Sequence, residues 1–174
     1  MPLFVTTIPS PLGQLTLVAD DAAMVAVLWP DDRPGRVALG PMTDAPDHPV
    51  LREAAGQLAA YFAGTLSRFT LPLAPRGTAF QQAVWTALNA IPHGETRSYA
   101  DIARAIGRPT ATRAVGAANG RNPISIVTPC HRVVGTDGTL TGFAGGLAAK
   151  RWLLAHEAGQ RAPSSPGPGS ALGR

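Results

Sequence analysis

Cys130 is the only cysteine in 174 residues, and it lies in Thr128-Pro129-Cys130-His131-Arg132-Val133-Val134. A lone thiol excludes an internal disulfide, and with four histidines in the chain it also excludes a multi-cysteine zinc site. Free cysteine often packs as a small hydrophobe. Here a proline fixes the backbone ahead of the thiol, and a histidine and an arginine follow it. Such electropositive settings raise the thiolate fraction of a thiol. Cys130 is therefore the candidate nucleophile and His131 its natural base. In a strand, neighbouring side chains point to opposite faces, a difficulty that a tight turn and a bridging water would solve. Glu157 is a second acid of interest, because a carboxylate at the end of a helix opposes the helix dipole.

These residues need a frame to position them. Leu3-Phe4-Val5, Leu15-Thr16-Leu17-Val18 and Val25-Ala26-Val27-Leu28-Trp29 are short apolar runs separated by turn residues, and they read as antiparallel strands spanning about 3–7, 14–18 and 25–29. Residues 30–49, rich in Pro, Gly and Asp, read as loop. From Val50 the spacing becomes helical, with Leu51, Ala54, Ala55, Leu58, Tyr61 and Phe62 on one face and Gly64 ending the run. Leu71 to Gly77 carries two prolines and reads as an inter-domain linker. Beyond it, Thr78 caps an amphipathic helix through Phe80, Val84, Trp85, Leu88 and Ile91, and Pro92-His93-Gly94 stops it. Ser98 caps a second helix over 99–106. After the turn Gly107-Arg108-Pro109-Thr110, a third follows over about 111–118, and this pair forms a helix-turn-helix pattern. A last helix over about 147–158 buries Leu147, Leu153 and Leu154 and ends at Gly159.

The expected fold class is α+β: a small N-terminal α/β module (1–75), then a mostly helical domain with a helix-turn-helix (76–160), then a disordered Pro/Gly/Ser-rich tail (161–174). Charge divides along the same line. Residues 1–75 carry four arginines against seven acids, whereas 76–161 carry ten Lys/Arg against four acids. Basic character concentrated in one half fits a polyanion-binding surface. Nothing approaches eighteen consecutive apolar residues, and Met1-Pro2-Leu3-Phe4-Val5 lacks the basic and apolar regions of a secretory signal. A single unpaired thiol fits a reducing cytoplasm.

Taken together, the cysteine segment and the helix pair resemble the O6-alkylguanine-DNA alkyltransferases. The resemblance is dense from Phe80 to Glu157. It runs through Ile91-Pro92-His93-Gly94-Glu95-Thr96, Ser98-Tyr99, Arg113-Ala114-Val115-Gly116, Arg121-Asn122-Pro123 and Leu153-Leu154-Ala155-His156-Glu157, with a weaker match at Ser10-Pro11-Leu12-Gly13. It implies single-turnover transfer of a methyl or larger alkyl group from guanine O6, and less readily from thymine O4, to Cys130 in a flipped-out nucleotide. It further implies that a water joins Cys130 to His131, that Glu157 holds the far ring nitrogen of His131, and that the Tyr99 hydroxyl donates towards guanine N3. Arg113 would fill the vacated base stack. Ala114, Gly116 and Ala117 would present a narrow helix face to the minor groove of double-stranded DNA, with little sequence specificity. Asn122 would be a hinge tying that helix to the cysteine segment. Val133, Phe143 and Ala144 would line the base pocket, Ala144 standing where relatives often carry serine, so that a backbone N–H must serve O6 there.

No cofactor and no metal are expected, since no cysteine precedes position 130 to build the zinc site some members carry. No membrane contact is expected, and the protein should act as a monomer, with cooperative loading on DNA left open. Two rival functions remain. One is a non-transferring protein that flags alkylated DNA for other repair; its marker would be loss of the nucleophile. The other is a cysteine hydrolase using Cys130 and His131, which would need neither DNA nor Arg113.

Overall fold

A computed structural model describes residues 1–159. The expected tail, 161–174, lies outside the described residues. The backbone divides into two compact units, one made of residues 1–76 with 123–125 and the other of the remaining residues from Gly77.

In the first unit, β1 (Leu3–Ile8), β2 (Leu15–Ala19) and β3 (Met24–Leu28) form the expected antiparallel meander, with Val5 opposite Val18 and Leu17 opposite Val27. The loop expected over 30–49 is not all loop. Met42–Asp44 forms β4, which pairs parallel with β1 in a sheet of order β3-β2-β1-β4. All three residues of β4 are exposed, so no apolar alternation betrays this short edge strand in the sequence. Helix α1 (Pro49–Phe62) starts with proline in its first turn, and His48 accepts from the Val50 N–H. It packs Leu51, Ala54, Leu58 and Tyr61 against the sheet.

The segment expected as a free linker is partly structural. Met24 donates to Pro72 O and Ala74 donates to Met24 O, so Leu73 extends the β3 edge. Val27 likewise donates to Pro123 O, and Trp29 Nε1 donates to Ser125 Oγ. Residues 123–125 thus belong to the first unit, although α4 and the cysteine segment on either side belong to the second.

In the second unit, α2 (Ala79–Asn89) carries a full capping box between Thr78 and Gln81. Helix α3 (Tyr99–Ala105) carries another between Ser98 and Asp101, and α4 (Thr112–Gly120) follows. These three helices pack on one another around Val84, Trp85, Leu88, Ile91, Ile102, Val115 and Ala118, and Cys130 and Val133 join that core. Residues Cys130–Arg132 form one 3-10 turn that runs into β6 (Val133–Val134). β6 pairs parallel with β5 (Arg97–Ser98), which sets Tyr99, the first residue of α3, beside the cysteine turn. Helix α5 (Leu147–Glu157) closes the unit. Its buried face differs from the expected one. Leu153 is buried, but Leu147 is exposed and Leu154 half-buried, and the inward positions are Ala149, Lys150, Trp152, Leu153 and Glu157.

Candidate active site

The 3-10 turn answers the geometric problem of two neighbouring side chains. Cys130 N donates to Thr128 O and Arg132 N to Pro129 O, so the chain tightens at the nucleophile. Upstream, Ile126 holds φ at 74°, a conformation that costs a β-branched residue energy and that the surrounding packing must maintain. Two asparagines from the end of α4 brace the turn. Asn122 Nδ2 donates to Thr128 O at 2.8 Å, and Asn119 Nδ2 lies 3.5 Å from Cys130 O.

Cys130 and His131 are both buried. His131 Nε2 lies 2.7 Å from Glu157 Oε2. Burial pushes the His131 imidazole below its ordinary value, and the Glu157 hydrogen bond only partly offsets this. The neutral ring therefore dominates at rest. Burial also works against ionised Glu157, but hydrogen bonds from His131 and Arg132 outweigh it and hold the carboxyl well below the usual range. A carboxylate can only accept, so the His131 tautomer follows: Nε2–H donates to Glu157, and Nδ1 keeps its lone pair. Nδ1 is buried with no hydrogen-bond partner among the described residues. It is a base with an acceptor position to fill.

Two cations complete the site: Arg132, which the sequence sets beside the thiol without showing its partner, and Lys150, which sequence reasoning missed. Arg132 clamps Glu157 with two hydrogen bonds, Nε to Oε1 at 2.7 Å and Nη2 to Oε2 at 3.0 Å, and its Nη1 donates to Ile91 O. The signal for it was Glu157 itself, a buried acid at a helix C-terminus that needs a compensating charge. Lys150 is fully buried, and its Nζ donates to Val133 O at 2.7 Å and lies 6.0 Å from the centroid of the Phe143 ring. Burial pulls the Lys150 ammonium below its ordinary range, and negative charge on Cys130 pushes it back. The signal here was spacing: Lys150, Leu153 and Glu157 fall on one face of α5.

The other expected residues fall into two groups. Tyr99, half-buried, donates to or accepts from Thr141 Oγ1 at 2.5 Å. Val133 is buried in the core, with Phe143 packed against it and Ala144 half-buried on the same loop. Arg113, Ala114 and Ala117 are exposed on α4, while Gly116 is half-buried and faces Tyr99, where an added Cβ would meet the ring at 3.9 Å. Among the described residues no group of three His, Cys, Asp or Glu side chains is placed to hold a metal, and no helix is long and apolar enough to cross a membrane.

Comparison with known proteins shows the family of the chain. Residues 79–159 match the model of the 6-O-methylguanine DNA methyltransferase DNA-binding domain, and residues 3–75 match its ribonuclease-like domain. The chain belongs to the 6-O-methylguanine DNA methyltransferase family. It is 48% identical over 145 residues to a methylated-DNA–protein-cysteine methyltransferase of Methanosarcina acetivorans, covering 83% of this chain and 92% of that one. It is 49% identical over 160 residues to the Mycobacterium tuberculosis protein of the same name, covering 91% and 93%. Among solved structures, Mycobacterium tuberculosis OGT in complex with DNA superposes with a TM-score of 0.82 at 46% identity, over 91% of this chain and 94% of that one.

Proposed function

We propose that this protein repairs DNA by direct reversal, moving a methyl or larger alkyl group from guanine O6, and less readily from thymine O4, to Cys130, once per molecule. The observation that carries the reading is the buried His131–Glu157 pair, on the residue that follows the lone thiol in a chain of this family, with one ring nitrogen of His131 left as an acceptor.

The Cys130 Sγ–H proton passes through a bridging water to His131 Nδ1. Glu157 steadies the imidazolium that forms, in the manner of a triad acid. The Lys150 ammonium favours the thiolate left behind. Sγ then attacks the alkyl carbon in line. The S–C bond forms, the C–O6 bond breaks, and the bonding electron pair stays on guanine. Tyr99 donates to guanine N3 as that charge develops, and the base finally takes a proton while His131 returns its own to solvent. The backbone N–H at Ala144 serves O6 where a side-chain hydroxyl is missing. The thioether is stable, so the molecule is spent after one transfer.

The target carbon lies inside a duplex, and extruding its nucleotide costs about a few kcal/mol of stacking and pairing. Arg113 fills the gap, while Ala114 and Ala117 keep the outward face of α4 slender enough for a minor groove only about 6 Å wide before it opens. Asn122 couples α4 to the cysteine turn as a hinge. We read residues 76–160 as the DNA-binding and transfer domain and residues 1–75 as its supporting module. The protein acts as a monomer on double-stranded DNA of any sequence, in the reducing cytoplasm.

Titrating the protein with excess duplex bearing one O6-methylguanine tests this reading. Restored guanine should plateau at one per protein, and Cys130→Ser should restore none while still binding the duplex. Continued turnover would instead indicate a hydrolase, and binding without restoration a lesion-flagging protein.

A further inference from the structure

Tyr99 has one hydroxyl proton, and the proposed reaction asks it to donate that proton to the departing base. Its oxygen then needs a donor of its own, and the fold supplies one. Thr141 Oγ1 lies 2.5 Å from Tyr99 Oη, 42 residues away in sequence. We propose that Thr141 is a positioning residue for the alkyl transfer: its hydroxyl donates to Tyr99 Oη, so that the Tyr99 proton is aimed at the base as the base becomes anionic. This inference rests on the alkyl-transfer reading above.

Three observations carry it. First, the direction of the bond is free in the resting protein, since both atoms are hydroxyl oxygens able to donate or accept. When Tyr99 turns its proton to a base, Thr141 can respond by rotating its own proton onto Tyr99, and no heavy atom has to move. Second, hydrogen bonds in series polarise one another. The chain base–Tyr99–Thr141 therefore strengthens as negative charge grows on the guanine, which stabilises the transition state more than the bound substrate. Third, Thr141 lies on the loop that carries the pocket wall. Gly135 donates to Thr139 O at one end of that loop and Gly146 to Phe143 O at the other. Thr141 sits between them, two residues before Phe143, and reaches across to the first residue of α3. The same bond that orients Tyr99 thus registers Phe143 and Ala144 against it. A hydroxyl at 141 does this chemistry, while its methyl group does not.

The test compares Thr141→Val, which keeps the β-branch and removes the hydroxyl, with Thr141→Ser, which keeps the hydroxyl. Tyr99→Phe serves as a control, and thermal melting confirms that each variant is folded. Rapid mixing with lesion duplex separates DNA affinity from the first-order transfer rate. Thr141→Val should lower the transfer rate about tenfold, the effect of one hydrogen bond realised in the transition state, with DNA affinity unchanged. Thr141→Ser should restore the rate. The decisive substrate is duplex O6-methyl-3-deazaguanine, in which C–H replaces N3. There Thr141→Val and wild type should transfer at the same rate, because Tyr99 has no acceptor left to address.

A Thr141→Val rate equal to wild type on the ordinary lesion overturns the inference. So does an equal loss on both substrates, which would make Thr141 a loop-shaping residue only. If Tyr99→Phe is itself at wild-type rate, the role given to Tyr99 fails and this inference falls with it. If Tyr99→Phe is slow and Thr141→Val is not, the alkyl-transfer reading stands and only the inference is lost.

Discussion

Glu157 stands at the C-terminal end of α5, where the helix dipole is least favourable to a carboxylate, yet it is buried and ionised. Its two partners explain this, and they separate its roles. His131 uses the carboxylate for chemistry, and Arg132 uses it for charge balance. Glu157→Gln should therefore slow transfer and also destabilise the fold by about 3–5 kcal/mol, because it leaves the Arg132 guanidinium buried without an anion. Denaturant unfolding and single-turnover rates on the same sample would show both losses.

The same shifts fix a pH dependence. His131 and Glu157 both titrate lower in the fold than their ordinary values of 6.5 and 4.5. On acidification the unfolded chain takes up these protons first. Stability from each group is thus complete above its ordinary value and is lost as pH falls below it. The melting temperature should decline from neutrality downwards, more steeply below about pH 4.5. A flat profile would contradict the assigned charge states. Lys150 is coupled by charge to Cys130 instead. Lys150→Met should move the midpoint of the transfer–pH profile upwards by roughly one pH unit, and an unmoved midpoint would remove Lys150 from the site.

At the level of elements, the helix pair and the caps at Thr78 and Ser98 were legible because each is written in adjacent residues. Thr78 with Gln81 and Ser98 with Asp101 announce their helices directly. The edge strand β4 was not, since an exposed three-residue strand has no buried face to leave a pattern. The inward face of α5 was misjudged for a related reason. Leucine spacing predicts the buried face, but here a lysine and a glutamate go inside because their charges are answered there, and Leu147 stays out. Helix α4 divides its faces cleanly, with Val115 and Ala118 inward and Arg113, Ala114 and Ala117 outward. Arg113→Ala should slow repair of a lesion in duplex DNA while leaving transfer from the free base O6-benzylguanine unchanged. Equal losses on both substrates would show that Arg113 serves the chemistry rather than the extrusion of the base.

Across the whole molecule, the charge asymmetry seen in the sequence survives as a set of exposed arginines at 104, 108, 113 and 121 on and around the helix pair. Those that meet phosphates release counterions, so affinity for undamaged duplex should fall steeply with salt, by a log–log slope of about −0.9 for each phosphate contacted, and should differ little between sequences. The sequence also hid how the chain is shared between units. Residues 123–125 lie in sequence between α4 and the cysteine turn, but Ile124 pairs with Val27 of β3 in the first unit. Such backbone pairing leaves no mark in side-chain pattern, which is why it had to be seen. The most direct measurement of the central claim is intact-protein mass, followed by peptide mapping, after reaction with excess O6-methylguanine duplex. The account predicts a gain of a single methyl group, located on Cys130 and never exceeding one per chain. An unchanged mass after the lesion has been repaired, or a methyl group located on another residue, would contradict it.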